Sequence, residues 1–198
     1  MSFHIVADSC CELTADMKKS GNIEIAPLTL EVGGESILDD ETFDQKYFLK
    51  RVAECPECPK SACPSPDYFR KSFLNGAERC YAVTLSAQLS GSYNSAVLGA
   101  NLAQEENEDL KIHVFNSRSA SIGETLIVKK IVECEEAGMS FERVVETVEL
   151  YISTQNTYFV LENLETLRKN GRLSKTKALV ASALKIKPVM GATSEGDI

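Results

Sequence analysis

The chain has 198 residues, with 29 acidic and 21 basic side chains, a formal charge of −8, 43% apolar residues and no tryptophan. This is the composition of a folded domain and not of a disordered tail. The excess of acid argues against a general affinity for nucleic-acid backbones, and no apolar run approaches the roughly 20 residues that a membrane helix needs. The N-terminus, MSFHIVADSCCELT, carries neither a positive leader nor a long apolar stretch with a small-residue cleavage site, so the expected location is cytoplasmic.

Phe3 to Ala7 is a short apolar run that ends in Asp8-Ser9, the pattern of a buried parallel strand delivering polar groups to its carboxyl end. A short helix is expected after Thr14, stopping near Gly21. Leu28–Val32 and Ser36–Leu38, separated by Gly33-Gly34, read as a hairpin. Thr42 followed by Gln45 reads as a capping box opening a helix through Glu54. After a proline-rich loop, Ser65-Pro66 supplies an N-cap and a proline at the first helical position of a helix closing near Gly76.

From Cys80 the pattern alternates: strand to Leu85, helix from Gly91 to Gln104, strand Lys111 to Phe115, helix from Ile122 to Glu136. Such alternation predicts a parallel sheet with covering helices. Phe141, Val144, Val145, Val148 and Ile152 form one stripe of a further helix after Ser140. Thr157 to Leu161 reads as a strand, Leu164 to Asn170-Gly171 as a helix, Lys177 to Leu184 as another, and Ile186 to Thr193 as a last strand before the turn at Glu195-Gly196-Asp197.

Charge divides the chain near the same place. Residues 1–155 hold 14 basic and 25 acidic side chains, residues 156–198 hold 7 and 4, and all seven late cations lie between Arg168 and Lys187 with no acid among them. The expected architecture is therefore an α/β unit over 1–155 and the start of an α+β unit over 156–198. The second unit reads as incomplete, because the chain stops on the first residue of a would-be strand. The cationic stretch is either a solvated helical surface or an anion-facing edge. Seven cysteines without a secretion signal read as reduced thiols; Cys55, Cys58 and Cys63 contain one CxxC but no second pair, so no metal site is assigned.

Three polar turns follow strands: Asp8-Ser9-Cys10-Cys11, Ser86-Ala87-Gln88-Leu89-Ser90-Gly91-Ser92, and Asn116-Ser117-Arg118-Ser119-Ala120-Ser121. In an open parallel sheet all three converge on one edge, and a helix start there offers unpaired N–H groups and a positive dipole end to an anion. Ser90 or Ser92 could instead merely cap the helix. No GxGxxG, P-loop or GxSxG sequence is present, and a serine nucleophile lacks a base, because His4 and His113 both fall in strands. No catalytic residue is assigned; a serine hydrolase acting on acyl esters, with Ser90 as nucleophile, is the alternative reading.

Several stretches together resemble the DegV family of bacterial fatty-acid-binding proteins: Val6-Ala7-Asp8-Ser9, the segment Pro59 to Pro66, Leu85-Ser86-Ala87-Gln88-Leu89-Ser90-Gly91-Ser92-Tyr93-Asn94-Ser95-Ala96, Asn116 to Ser121, Leu161 to Glu165, and Gly171-Arg172-Leu173-Ser174. The resemblance implies an N-terminal α/β domain and a C-terminal α+β domain with one long-chain fatty acid, such as palmitate, stearate or oleate, held between them as ligand and with no cofactor. It implies an acyl carrier that presents the carboxylate to a separate fatty acid kinase domain protein for phospholipid synthesis. The head-group contacts it implies are the Ser61 hydroxyl, the Ser90 hydroxyl, the Gly91 N–H and the Arg172 guanidinium. Physical chemistry accommodates those roles, since a carboxylate leaving water must be hydrogen-bonded or paired, and burying the tail contributes roughly 0.8 kcal/mol per CH₂. The chain departs from the family pattern at Ala62, where a second hydroxyl is usual, at Cys63, at Cys10-Cys11, and at Asn116 in place of Asp.

Overall fold

A computed structural model describes residues 2–173 and 187–198. The centre is a four-stranded, wholly parallel sheet in the order β2-β1-β6-β7, formed by β1 (Phe3–Asp8), β2 (Ile23–Ala26), β6 (Arg79–Thr84) and β7 (Lys111–Asn116). The middle strands are apolar on both faces because helices cover both. Ile5, Ala7, Tyr81, Val83 and Phe115 face one way, against Ile127, Val128 and Ile131 of α5 (Ile122–Glu136) and Val144, Val148 and Ile152 of α6 (Phe141–Thr154). Val6, Cys80, Ala82 and Val114 face the other way, against Phe69 and Phe73 of α3 (Pro66–Phe73) and Ala96, Ala100 and Ala103 of α4 (Ser92–Glu106).

The α3–α4 contact depends on a small residue at the crossing. A Cβ on Gly99 would stand 2.6 Å from the Pro66 carbonyl oxygen and 2.7 Å from Phe69 Cβ. Ser65 caps α3 as expected, accepting the Tyr68 N–H, and Ser140 caps α6 by accepting the Arg143 N–H. Thr14 does the same for α1 (Ala15–Lys19).

Beside the main sheet lies a three-stranded antiparallel sheet in the order β4-β3-β5, from β3 (Thr29–Val32), β4 (Glu35–Leu38) and β5 (Lys60–Ala62). The Gly33-Gly34 hairpin is as expected. Two strands were not: β2 adds an outer parallel strand, and β5 emerges from what reads as loop. The cap of α2 (Gln45–Glu54) is Asp44, whose carboxylate accepts the Tyr47 N–H, and not Thr42, whose hydroxyl is held by Asp40 instead. The expected strand at 157–161 shortens to β8 (Tyr158–Phe159), antiparallel to β9 (Met190–Gly191). α7 (Glu165–Lys169) ends as expected at Asn170-Gly171. The expected helix at 177–184, the start of the last expected strand at Ile186 and most of the cationic stretch lie outside the described residues.

Residues 192–197 fold back toward the carboxyl end of the parallel sheet. The Ala192 N–H donates to the Thr157 carbonyl, and the Ser86 hydroxyl donates to the Gly196 carbonyl. Among the described residues no helix is long and apolar enough to cross a membrane.

Candidate functional site

The three polar turns do converge, and they bind one another through main chain and side chain alike. The Leu85 N–H donates to Asp8 Oδ2 at 2.9 Å, the Ser86 N–H to the Ser119 carbonyl at 2.8 Å, and the Ala87 N–H to Asn116 Oδ1 at 3.1 Å. The convergence lies where strand order turns around, between β1 and β6, the place at which open α/β sheets hold ligands. The third turn is strained: Arg118 and Ser121 both have positive φ, 52° and 56°. Such backbone persists where surrounding contacts over-determine it. Here Asn116 Oδ1 accepts the Arg118 N–H, and the Ser121 hydroxyl donates to Glu12.

Within the second turn, Gly91 is the N-cap of α4 and no side chain caps it. Apart from the Ser92 N–H, the start of this 15-residue helix is open to an anion or solvent. Ser90 does not cap α4 in the usual way, but its Oγ accepts the Ser92 N–H at 3.2 Å and lies 3.1 Å from Ser92 Oγ. A side chain at Gly91 would crowd Cys63, since its Cβ would sit 3.2 Å from Cys63 Sγ. Glycine therefore permits the segment after β5 to pack against the helix start. The same segment is tied to α4 by the Ser95 hydroxyl, which donates to the Pro64 carbonyl.

Arg172 arrives from the other side. Gly171 takes φ 74°, and the N–H groups of Gly171 and Arg172 donate to the Arg168 and Leu167 carbonyls, closing α7 in a Schellman arrangement. The half-buried Arg172 side chain does not trail into solvent: Nε donates to the Leu89 carbonyl at 3.2 Å and Nη1 to the Asn170 carbonyl at 2.6 Å. Asn170 Nδ2 donates to the Pro59 carbonyl at 2.9 Å. Segments 58–64, 89–92 and 170–172 are therefore drawn together, carrying Ser61, Ser90, Gly91 and Arg172. Ser61 lies exposed on β5, opposite Leu30. Among the described residues no hydrogen bond links Ser61, Ser90 and Arg172 directly; Arg172 is held by the Leu89 and Asn170 carbonyls and Ser90 by Ser92.

Neither histidine approaches Ser90 as a partner. His4 Nε2 pairs with Glu24 and His113 Nε2 with Glu149, each at 3.1 Å.

Sequence reading missed a buried acid pair beneath the turns. Asp8 and Glu124 are both fully buried, and their carboxyl oxygens lie, with Cys10 Sγ, within 4.8 Å of one another. Burial raises Asp8 above its ordinary value, opposed by the N–H groups of Leu85 and Cys10, while Glu124 is raised much further by burial and then by the Asp8 charge. The adjoining Cys10 and Cys11 thiols are also pushed up by burial and these acids, Cys11 to about 12. The available signal was the spacing Ser121-x-x-Glu124, which puts an acid in the first turn of α5 directly after a polar turn.

The chain matches the model of the DegV family of uncharacterised proteins over residues 2–198. It is 37% identical over 200 residues to a DegV domain-containing protein of Streptococcus pneumoniae, covering all of this chain and 71% of that protein. Among solved structures it resembles a DegV family protein of Ruminococcus gnavus refined with vaccenic acid, at 55% identity and TM-score 0.95, covering 100% of this chain and 70% of that one. It also resembles the Streptococcus pneumoniae Fatty Acid Kinase B3 protein loaded with linoleic acid, at 36% identity and TM-score 0.90 over the same shares. A DegV family protein of Eubacterium eligens loaded with heptadecanoic acid matches at 28% identity and TM-score 0.91, covering 99% of this chain and 70% of that one. A family match over nearly the whole chain, on a fold whose strand-end turns meet as described, establishes that this protein belongs to the DegV family.

Proposed function

We propose that the protein is a non-catalytic carrier that holds one long-chain fatty acid and presents its carboxylate to a fatty acid kinase. The observation that carries this reading is the meeting of the Arg172 guanidinium with the uncapped start of α4 at Leu89–Gly91. A cation, a helix-start amide at Gly91 and the Ser90 and Ser61 hydroxyls form a set that binds a carboxylate and contains no activated nucleophile. Structural neighbours loaded with linoleic and heptadecanoic acid support the ligand class, and the name of the former supports the kinase partner. In this reading residues 1–155 supply the hydroxyls and the helix start, residues 156–198 supply the arginine, and the acid lies between the two units.

Equilibrium binding of vaccenic acid tests the assignment. Ser90→Ala and Arg172→Ala should each weaken affinity about tenfold or more, the scale of a hydrogen bond to a charged group, with unchanged circular dichroism. Wild-type affinity in both variants would defeat it. Mass spectrometry of the denatured protein separates carrier from hydrolase: the carrier releases free acid at unmodified protein mass, whereas the hydrolase would keep a covalent acyl group on Ser90.

A further inference from the structure

The Ser90 hydroxyl is the end of a chain of contacts leading inward. Its neighbour Ser92 is fully buried and interacts with the Asp8 carboxylate. Asp8 accepts the Leu85 N–H on Oδ2 at 2.9 Å and the Cys10 N–H on Oδ1 at 3.1 Å. Behind it stands Glu124, fully buried, with neither carboxyl oxygen meeting a hydrogen-bond partner among the described residues.

Two carboxyls this close in a dry interior cannot both be ionised. Asp8 has two hydrogen-bonded backbone donors to stabilise an anion, whereas Glu124 has only the Ser121 N–H nearby, outside hydrogen-bond geometry, so the proton resides on Glu124. The other ionisable groups around the pair are Cys10 and Cys11, whose thiols stay protonated, and the acids Glu12 and Asp39, which act on those cysteines. Each of these groups, if ionised, is negative and favours a protonated Glu124.

We propose that Asp8 and Glu124 are positioning residues for carboxylate capture: one proton held between the two buried carboxyls keeps Asp8 an acceptor for Ser92, and Ser92 in turn orients Ser90. The proposal rests on the reading of Ser90 as a head-group contact. With the proton in place, the Ser92 O–H points inward to Asp8, and Ser92 offers its N–H to Ser90 Oγ, holding that oxygen at the mouth of the site. Removing the proton puts two anions side by side, displaces Asp8 from its donors and loosens Ser90. No covalent step is involved.

The test is the pH dependence of vaccenic acid affinity, between about pH 5.5 and about 9.5, for wild type, Ser90→Ala, Asp8→Asn and Glu124→Gln. Wild-type affinity should fall about fivefold or more on the alkaline side. Glu124→Gln, neutral at every pH and still able to donate to Asp8, should match wild type at low pH and lose the alkaline fall. Asp8→Asn should bind about tenfold more weakly throughout, since its amide turns a donor toward Ser92 or Cys10. Should Asp8→Asn fail to fold, the Glu124→Gln profile decides alone. Parallel profiles for wild type and Glu124→Gln, with Ser90→Ala weakened, would overturn the positioning role and leave the head-group reading standing. Undiminished binding by Ser90→Ala would overturn the head-group reading itself.

Discussion

A buried glutamate with unpartnered oxygens destabilises the fold by an amount that depends on pH. The folded value of Glu124 lies above 4.5, its ordinary value in an unfolded chain, so over the interval between the two the native protein holds a proton that the unfolded chain has released. The stability tied to this side chain is therefore greatest below pH 4.5 and is lost as pH rises toward the folded value. Glu124→Gln should raise the unfolding free energy by about 1–2 kcal/mol at pH 8 and leave it unchanged near pH 4, measured by urea denaturation at both. An equal gain at both pH values would contradict the protonation argument. The cysteines separate on similar grounds. Cys63 is exposed beside the helix start, while Cys10, Cys11 and Cys80 have thiols raised by burial. A maleimide reagent should label Cys63 fastest and leave those three intact until unfolding, and vaccenic acid should slow the Cys63 reaction. Ser61, Ser90, Gly91 and Arg172 lie in stretches that stand out in the sequence, and their head-group role is the proposal made above. Asp8 was legible only as a strand end and Glu124 only as a first-turn acid three residues after Ser121, because its partners lie across the fold and no local pattern encodes a burial.

At the scale of elements, the central layers follow from periodicity, and so the alternating strands and helices from Cys80 onward were readable nearly to the residue. α5 begins and ends where its pattern does, and α6 buries Val144, Val148 and Ile152 from its expected stripe. The elements that escaped are those sustained by pairing and not by composition. β5 is three exposed residues that count as strand only because β3 lies alongside, and β2 is a short run recruited by β1. At α2, Thr42 and Asp44 are equally good caps locally, and Asp40, by holding the Thr42 hydroxyl and N–H, decides in favour of Asp44. The α3–α4 crossing gives a prediction at this scale. Gly99→Ala would drive a methyl group into the Pro66 carbonyl and the Phe69 side chain and should destabilise the protein by about 1–3 kcal/mol despite alanine's better helix propensity. A neutral or stabilising result in thermal denaturation would mean that the two helices can separate freely.

For the whole molecule, the proposed carrier role requires that a ligand bound only by the folded state adds to its stability. At vaccenic acid one hundred times above the dissociation constant the gain is about 2.7 kcal/mol, which for a chain of this size corresponds to a rise in Tm of roughly 5–10 °C. No rise under saturating acid would count against a ligand that bridges the site. The arrangement of the parallel sheet also bears on how the protein assembles. Arg79 of β6 pairs with Lys111 of β7 across a single intervening helix, whereas Phe3 of β1 must find Arg79 after more than twice that length of chain has been made. Closing the longer loop costs more entropy, so β6, α4 and β7 are expected to organise before β1 docks. Asp8 travels with β1, and Leu85 waits for it. Competence to hold a lipid should therefore be acquired late in refolding, after most of the helical signal has returned, which makes ligand capture a clock for the final docking event.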